Sequence, residues 1–239
     1  MRQTPVHDAI VERWGAEIGS GRQAPGSRII MDQAIVAFGA SRSAVREAAR
    51  VLESLGMVES RQRVGITVLP PESWSPYDAR VLRWRLTGPD RIELLHSLNE
   101  LRAAVEPAAA RLAAERATPD QCARLAAAVM GMASTSRAAN ADDYLAHDAE
   151  FHTVLLQASG NVMLANLNKV VYAVLEGRTR NDLMPAVADA EALSLHGEVA
   201  VAVQSKDGDA AERAMRAIVE ESDHAVLALD ATRDAAHDL

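Results

Sequence analysis

Ser41-Arg42-Ser43-Ala44-Val45-Arg46-Glu47-Ala48, running on through Val51, Leu52 and Leu55 to Gly56, decides the fold of the first part of the chain. Ala44, Val45, Ala48, Val51, Leu52 and Leu55 recur at helical spacing, and Ser41 stands where an N-cap would accept a backbone hydrogen bond. That stripe must face a core, so Arg42, Ser43, Arg46 and Arg50 are left on or near the outer side. Gly56 supplies the positive φ that ends a helix. Residues 57–60 and 66–69 then read as two strands around 61–65, a wing with Arg61 and Arg63 near its tip.

Upstream, residues 5–18 make a plausible helix with Val6, Ile10, Trp14 and Ile18 on one face. Pro25-Gly26 is a turn, 31–38 a short second helix, and Gly39 the tight turn into the third. The order helix, helix, turn, helix, hairpin predicts a winged helix-turn-helix. Arg42 and Arg46 lie about one turn apart at the front of the third helix, where a guanidinium can grip phosphate or the O6/N7 edge of guanine in a bidentate fork. Ser41 and Ser43 add candidate phosphate contacts. An ordinary solvated arginine face is the competing reading, and the added hairpin favours DNA.

The segments Pro25-Gly26-Ser27-Arg28, Gly39-Ala40-Ser41-Arg42, Val45-Arg46-Glu47-Ala48, Leu52, Leu55-Gly56 and Val64-Gly65 resemble the N-terminal domain of the GntR family of bacterial transcription regulators, over roughly residues 5–70. Read with the helix and wing above, the candidate DNA contacts are Ser41, Arg42, Ser43, Arg46, Arg50, Arg61, Arg63 and Gly65. The second helix departs from the family pattern. It opens Ile29-Ile30-Met31-Asp32-Gln33, with Asp32 where the family often has a DNA-binding arginine.

With 239 residues, 49% of them hydrophobic, the chain can bury one large or two modest cores. A single cysteine, Cys122, excludes an internal disulfide framework and suits a reducing cytoplasm. No stretch approaches the roughly 18–20 apolar residues that span a bilayer, and no signal-peptide pattern opens the chain, so no membrane partner is expected. The net charge of −8 is unevenly shared: residues 1–70 hold nine arginines against seven acids, about +2, which leaves about −10 for the rest. Screening over roughly 10 Å at 0.1 M salt lets local arginines meet phosphate despite a distant acidic body.

Pro70-Pro71-Glu72-Ser73-Trp74-Ser75-Pro76 is a proline-rich joint, so the expected division is a DNA-binding domain over 1–70, a linker and connecting helix over 71–91, and an effector domain over 92–239. The last part reads as helices at 78–86, 92–117, 119–139, 142–158, 162–178, 185–204 and 209–236. The expected fold is thus mainly α: three helices plus a β-hairpin, joined to an all-α helical bundle. Asp148 and His152 share one helix face with apolar neighbours; His196 and Arg102 interrupt apolar stripes on two other helices. Buried unpaired charge costs several kcal/mol, so these groups should meet one another, a metal or a bound anion. Asp plus two His is ligand chemistry for a divalent transition metal, with bonds of about 2.0–2.2 Å. A plain Asp148–His152 hydrogen bond, a satisfied core His196, and Arg102 paired with Glu106 or Asp148 are the alternatives.

Glu100-Leu101-Arg102, Glu106-Pro107, Ala110, Leu112-Ala113-Ala114, Asp148, Phe151-His152, Ser159-Gly160-Asn161, His196 and Gly208-Asp209-Ala210-Ala211 resemble the all-helical effector (FCD) domain of the FadR-type branch of that family. Many members hold a metal with an aspartate and three histidines, completed by a small carboxylate effector. Asp148, His152 and His196 match three of those positions and Ile218 falls at the fourth; His224 comes six residues later. The resemblance implies an effector site of Arg102, Asp148, His152 and His196 with Arg102 clamping the carboxylate. It also implies a divalent metal on Asp148, His152 and His196, zinc first and nickel or manganese as alternatives, with a metal-free pocket left open by Ile218 in the fourth place. Trp74, Pro76, Tyr77-Asp78 and Val81-Leu82-Arg83-Trp84 look like the joint of a sugar-acid-responsive group that includes galactonate regulators. The function expected from this resemblance is a ligand-responsive transcriptional regulator, a repressor without enzymatic activity, binding a palindromic operator on double-stranded DNA as a homodimer. A metal-dependent enzyme and a regulator sensing the metal itself are the rival readings.

Overall fold

The computed structural model describes residues 6–61, 65–136, 140–180 and 190–237. It divides into two compact units, Met1–Arg91 and Ile92–Leu239.

In the first unit, α1 (Val6–Gly19), α2 (Met31–Phe38) and α3 (Arg42–Ser54) pack around Ile10, Trp14, Ile18, Val45, Ala48 and Leu52. Ser41 caps α3, its hydroxyl accepting from the Ala44 amide at 3.2 Å. Gly39 ends α2 at φ 56°, a left-handed turn that costs a side-chain-bearing residue. The wing consists of β2 (Val58–Arg61) and β3 (Gly65–Val68), antiparallel with Val58 opposite Val68 and Arg61 opposite Gly65. A third strand, β1 (Arg28–Ile29), pairs with β3 on its other edge and makes the sheet order β1-β3-β2. Two residues are too few to show a period of two, so no alternation in the sequence marks this strand. Arg63, expected at the wing tip, lies outside the described residues.

Residues after the wing fold back onto the same unit. A single 3-10 turn (Pro71–Ser73) leads to α4 (Ala79–Arg85), and Trp74, Val81 and Trp84 join the core of the first three helices. Trp84 donates its indole N–H to Glu12 at 3.1 Å, and Arg83 meets the same carboxylate at 2.6 Å. Gly15 and Gly19 let α4 approach α1: a Cβ on Gly15 would lie 2.5 Å from the Trp84 ring, and one on Gly19 would lie 2.6 Å from the Trp84 Cβ.

The second unit is helical: α5 (Arg91–Arg116), α6 (Pro119–Thr135), α7 (Ala141–Ala158), α8 (Val162–Ala165), α9 (Asn168–Arg180), α10 (Ala190–Ser205) and α11 (Gly208–His237). Thr118 and Gln121 form a reciprocal capping box at the start of α6. Ala110, Ala113, Leu125, Met132, Phe151, Leu155, Val199, Met215 and Val219 make the core, while Val171, Leu175, Leu145 and Leu156 join α9 to α7. The single helix expected over 162–178 is two. Asn166 donates its side-chain amide to the Val162 carbonyl at 2.7 Å, and the Leu167 amide bonds the Leu164 carbonyl at 3.0 Å, so a tighter local turn replaces the helical ladder. The helix expected over 119–139 stops at Thr135, and the first residues of that expected over 185–204 lie outside the described ones.

Gly15→Ala tests the α1–α4 seam. Alanine would gain about 1 kcal/mol of helix propensity, yet a methyl group 2.5 Å from a buried indole forces displacement of packed atoms, costing about 1–3 kcal/mol. The expected result in thermal unfolding is a lower midpoint for the first unit; a higher one would show that the indole moves aside freely.

Candidate functional site

The outward face of α3 carries Ser41, Arg42, Ser43, Arg46 and Arg50, all exposed. Arg42 donates to Asp32 of α2 at 2.7 Å, Arg50 to Glu47 at 3.4 Å, and Arg61 lies 3.0 Å from Glu59. Ser41 and Ser43 share a hydroxyl contact of 2.9 Å. Arg46 has no hydrogen-bond or ion-pair partner among the described residues. Exposed pairs of this kind are worth about 0–1 kcal/mol, so phosphate or a base edge can displace them at little cost. The wing is anchored to the same helix, because Glu53 accepts from the Ser60 amide at 3.1 Å. Gly65, exposed at φ 98°, starts the returning strand in a conformation that side-chain-bearing residues rarely adopt.

The second constellation is buried inside the helical unit. Arg102 is 1% exposed and Glu106 wholly buried; both come from α5. Asp148 and His152 from α7 and His196 from α10 are buried beside them. Arg102 donates from Nε to Glu106 Oε1 at 2.6 Å, with a second, longer contact from Nη2 to Oε2 at 3.5 Å. Its Nη1 reaches the Ser222 hydroxyl at 3.4 Å and its Nη2 approaches His152 Nε2 at 3.5 Å. Arg102 and Glu106, one helical turn apart, therefore form a buried ion pair.

Both histidines turn Nε2 toward one carboxylate oxygen. His196 Nδ1 lies 2.7 Å from the Ala192 carbonyl, which can only accept, so that nitrogen carries a proton and Nε2 is bare in the neutral ring. His152 Nδ1 lies 2.7 Å from Glu106 Oε2, close but off the hydrogen-bond angle. Asp148 Oδ1 stands 3.4 Å from His152 Nε2 and 3.3 Å from His196 Nε2, again without hydrogen-bond geometry. Donor atoms bound at about 2.1 Å around a tetrahedral or octahedral ion stand about 3.0–3.4 Å apart, the spacing of Asp148 Oδ1 from each imidazole Nε2, and all three donors lie within 4.8 Å of one another. Asp148 Oδ1 and His196 Nε2 are buried and unsatisfied, and together with His152 Nε2, which also contacts Arg102, they fit a divalent cation, with Glu106 beside His152 and the Ala192 carbonyl on His196 as the outer partners. Ile218, at the fourth family position, is buried in the apolar core. His224 is exposed and outside the group.

A buried residue that the sequence reading did not single out is Arg178. It sits on the inner face of α9, 6% exposed, and its Nε has no hydrogen-bond partner. The signal was present: Val171, Val174 and Arg178 keep helical spacing, so the arginine continues an apolar stripe. Burial pulls its pKa down, and the Arg102 cation adds to that, against Asp148 and Glu221.

Charge balance in the cluster is set by proximity. Burial alone would push the Glu106 carboxyl up, but Arg102 and then His152 outweigh it and hold it at about 2. Asp148 is likewise driven up by burial, yet the two nearby imidazoles hold it well below the carboxylate range. For His152 burial pushes down, and Glu106 and Asp148 together lift it to about 9.

Family models describe the two units separately: "Bacterial regulatory proteins, gntR family" matches residues 7–68, and "FCD domain" matches residues 97–221. The chain is 30% identical over 217 residues to the galactonate operon transcriptional repressor of Escherichia coli, covering 90% of this chain and 94% of that one. It is 28% identical to the transcriptional repressor NanR of Cronobacter sakazakii, over 84% of this chain and 75% of that one. Among solved structures, Streptococcus agalactiae GntR is similar at a TM-score of 0.51 and 25% identity, covering 91% of this chain and 99% of that one. These families and relatives are transcription regulators, not enzymes.

A pH titration of chelator-treated protein tests the cluster. His152 is raised from 6.5 to about 9, so it contributes stability in full below pH 6.5 and loses it as pH rises through about 9. Glu106, lowered from 4.5 to about 2, contributes above pH 4.5 and loses its share as pH falls. The expected curve, followed by thermal unfolding, declines on both sides of that window. His152→Gln should remove the alkaline decline; its persistence in that variant would assign the decline elsewhere.

Proposed function

The chain belongs to the GntR family of bacterial regulatory proteins and carries its FCD domain, and from that premise we propose a repressor whose helical unit binds a small hydroxy acid of the sugar-acid type and thereby releases DNA. The observation that carries the effector half is the convergence of Asp148, His152 and His196 on one buried, unsatisfied point beside two arginines. A resident ion held by those three side chains, zinc in first place, would supply a Lewis-acidic centre for the oxygens of the acid. Ile218 offers no donor, so positions remain for the ligand. The likeness to a galactonate operon repressor over nine-tenths of the chain supports a hexonate among such acids.

On the DNA side, Arg46 is the arginine of α3 without a partner among the described residues, and Arg42 enters already oriented by Asp32. Arg50, Arg61, Ser41 and Ser43 flank them and suit phosphate contacts; Arg63 and Gly65 complete the wing side. One such module reads few base pairs, so a homodimer on a palindromic operator is the assembly that supplies affinity and specificity. Operator affinity falls only as far as the acid prefers the released state over the bound one.

Each half has its own test. In a gel-shift titration, Arg46→Ala is expected to weaken operator binding by about 1–3 kcal/mol if the side chain reads a base and by less if it meets phosphate; unchanged affinity at every salt concentration would remove α3 from the interface. In a thermal-shift screen with D-galactonate, D-gluconate, L-lactate and citrate, at least one acid should raise the midpoint of the metal-loaded protein, and a chelator should abolish the rise. A ligand at 100 times its Kd stabilises by about 2.7 kcal/mol. No shift with any of the four would refute the effector assignment, and a metal-driven change in operator affinity without acid would make the ion the signal.

A further inference from the structure

Arg102 is poorly placed to receive an anion because Glu106 already occupies its fork, through Nε at 2.6 Å and Nη2 at 3.5 Å, deep in the helical unit. Arg178 is in the opposite condition. It is more than nine-tenths buried on the face of α9 that packs against α7, and its Nε is an unsatisfied donor. No carboxylate oxygen of the described residues comes within ion-pair distance of it, although Asp148 and Glu221 act on it electrostatically. A guanidinium stripped of water without a counter-ion is costly, and folded proteins keep one where a ligand supplies the missing partner.

The charge count around it points the same way. Arg102 and Glu106 cancel as an ion pair, Asp148 and Glu221 act on Arg178 without pairing with it, and Asp148 Oδ1 is itself an unsatisfied acceptor directed at the histidines. A divalent ion on Asp148 would take up that carboxylate's charge and leave Arg178 with no paired anion among the described residues. The group that satisfies both is an anion with several oxygens.

We propose that Arg178 is the residue that binds the carboxylate of the effector, and that the site therefore takes small hydroxy acids and rejects their neutral lactones. The inference rests on the effector reading above and assigns its carboxylate to a residue that the family resemblance did not name. The planar fork of Arg178 can take both carboxylate oxygens, which a lysine ammonium cannot do. Arg102, locked to Glu106, acts instead as a positioning residue for His152 through the shared carboxylate.

The test uses full-length, zinc-loaded protein as wild type, Arg178→Gln, Arg178→Lys and Arg102→Gln. D-galactonate, D-gluconate, L-lactate and citrate are titrated calorimetrically and by thermal shift, with D-galactono-1,4-lactone as the neutral control. Wild type should bind at least one acid and not the lactone. Arg178→Gln should keep or raise the acid-free midpoint, because it removes an unpaired buried charge, while losing at least about tenfold in acid affinity. Arg178→Lys should recover part of that loss. Arg102→Gln should lower the acid-free midpoint, since it strands Glu106. If Arg178→Gln lowers the acid-free midpoint and binds the acid as wild type does, Arg178 is a structural residue and the proposal fails while the effector reading survives. If wild type binds none of the acids, the effector reading fails and takes this one with it. Equal binding of the lactone overturns the carboxylate assignment alone.

Discussion

Charge inside a helical bundle has to be answered locally, and the second unit is organised around that requirement. Arg102 and Glu106 face each other across one turn of α5, His152 of α7 leans on the same carboxylate, and Asp148 draws His196 in from α10. Taking two charges out of water costs several kcal/mol per ion, and close contact offsets that only when the remaining donors and acceptors are also met. Glu106 is answered nearly in full; Asp148 Oδ1, His196 Nε2 and Arg178 Nε are not. An unfinished network of this kind calls for a reason other than stability, which alone would have favoured apolar side chains at those positions.

The first unit solves a different problem with exposed charge. Its core of Ile10, Trp14, Val45, Leu52 and Met57 needs no polar help, so the arginines of α3 are free for the outer face. What stiffens that face is backbone geometry: the Ser41 cap, the Gly39 turn, and the Glu53 carboxylate that ties the wing to the helix. Gly56 belongs to the same set, since a Cβ there would stand 2.1 Å from the Ser73 carbonyl oxygen where the chain returns under the wing.

Most of the architecture was legible in the sequence because it is written in local terms. The stripe from Ala44 to Leu55, the serine before it and the glycine after it place α3 within a residue of its observed bounds, and Met31–Phe38 was recovered as a helix with the same ends. Asp148, His152, His196 and Arg102 stood out as polar residues in apolar phase, and they do lie together. What escaped depends on partners distant in sequence. β1 exists because β3 offers it an edge, and the break at Asn166 comes from a side chain competing for a carbonyl. Arg178 sits at the end of a stripe where a terminal, solvent-facing arginine is the ordinary expectation, and only the packing of α9 on α7 shows it to be inside. Glu106 taking up Arg102 was one of two pairings open in the sequence; i,i+4 spacing favours it, but whether Asp148 of another helix competes depends on packing.

The Asp32–Arg42 contact has a consequence for thermodynamics in salt. A cation that enters a duplex groove already matched to a carboxylate displaces fewer condensed counterions than a bare one, and each phosphate not neutralised removes about 0.9 from the slope of log affinity against log salt. Arginines compensated within the protein thus trade electrostatic pull, which every sequence shares, for oriented hydrogen bonding, which among base edges guanine rewards most. On the proposed reading role of α3, such a head would hold its own site in salt that strips it from bulk DNA.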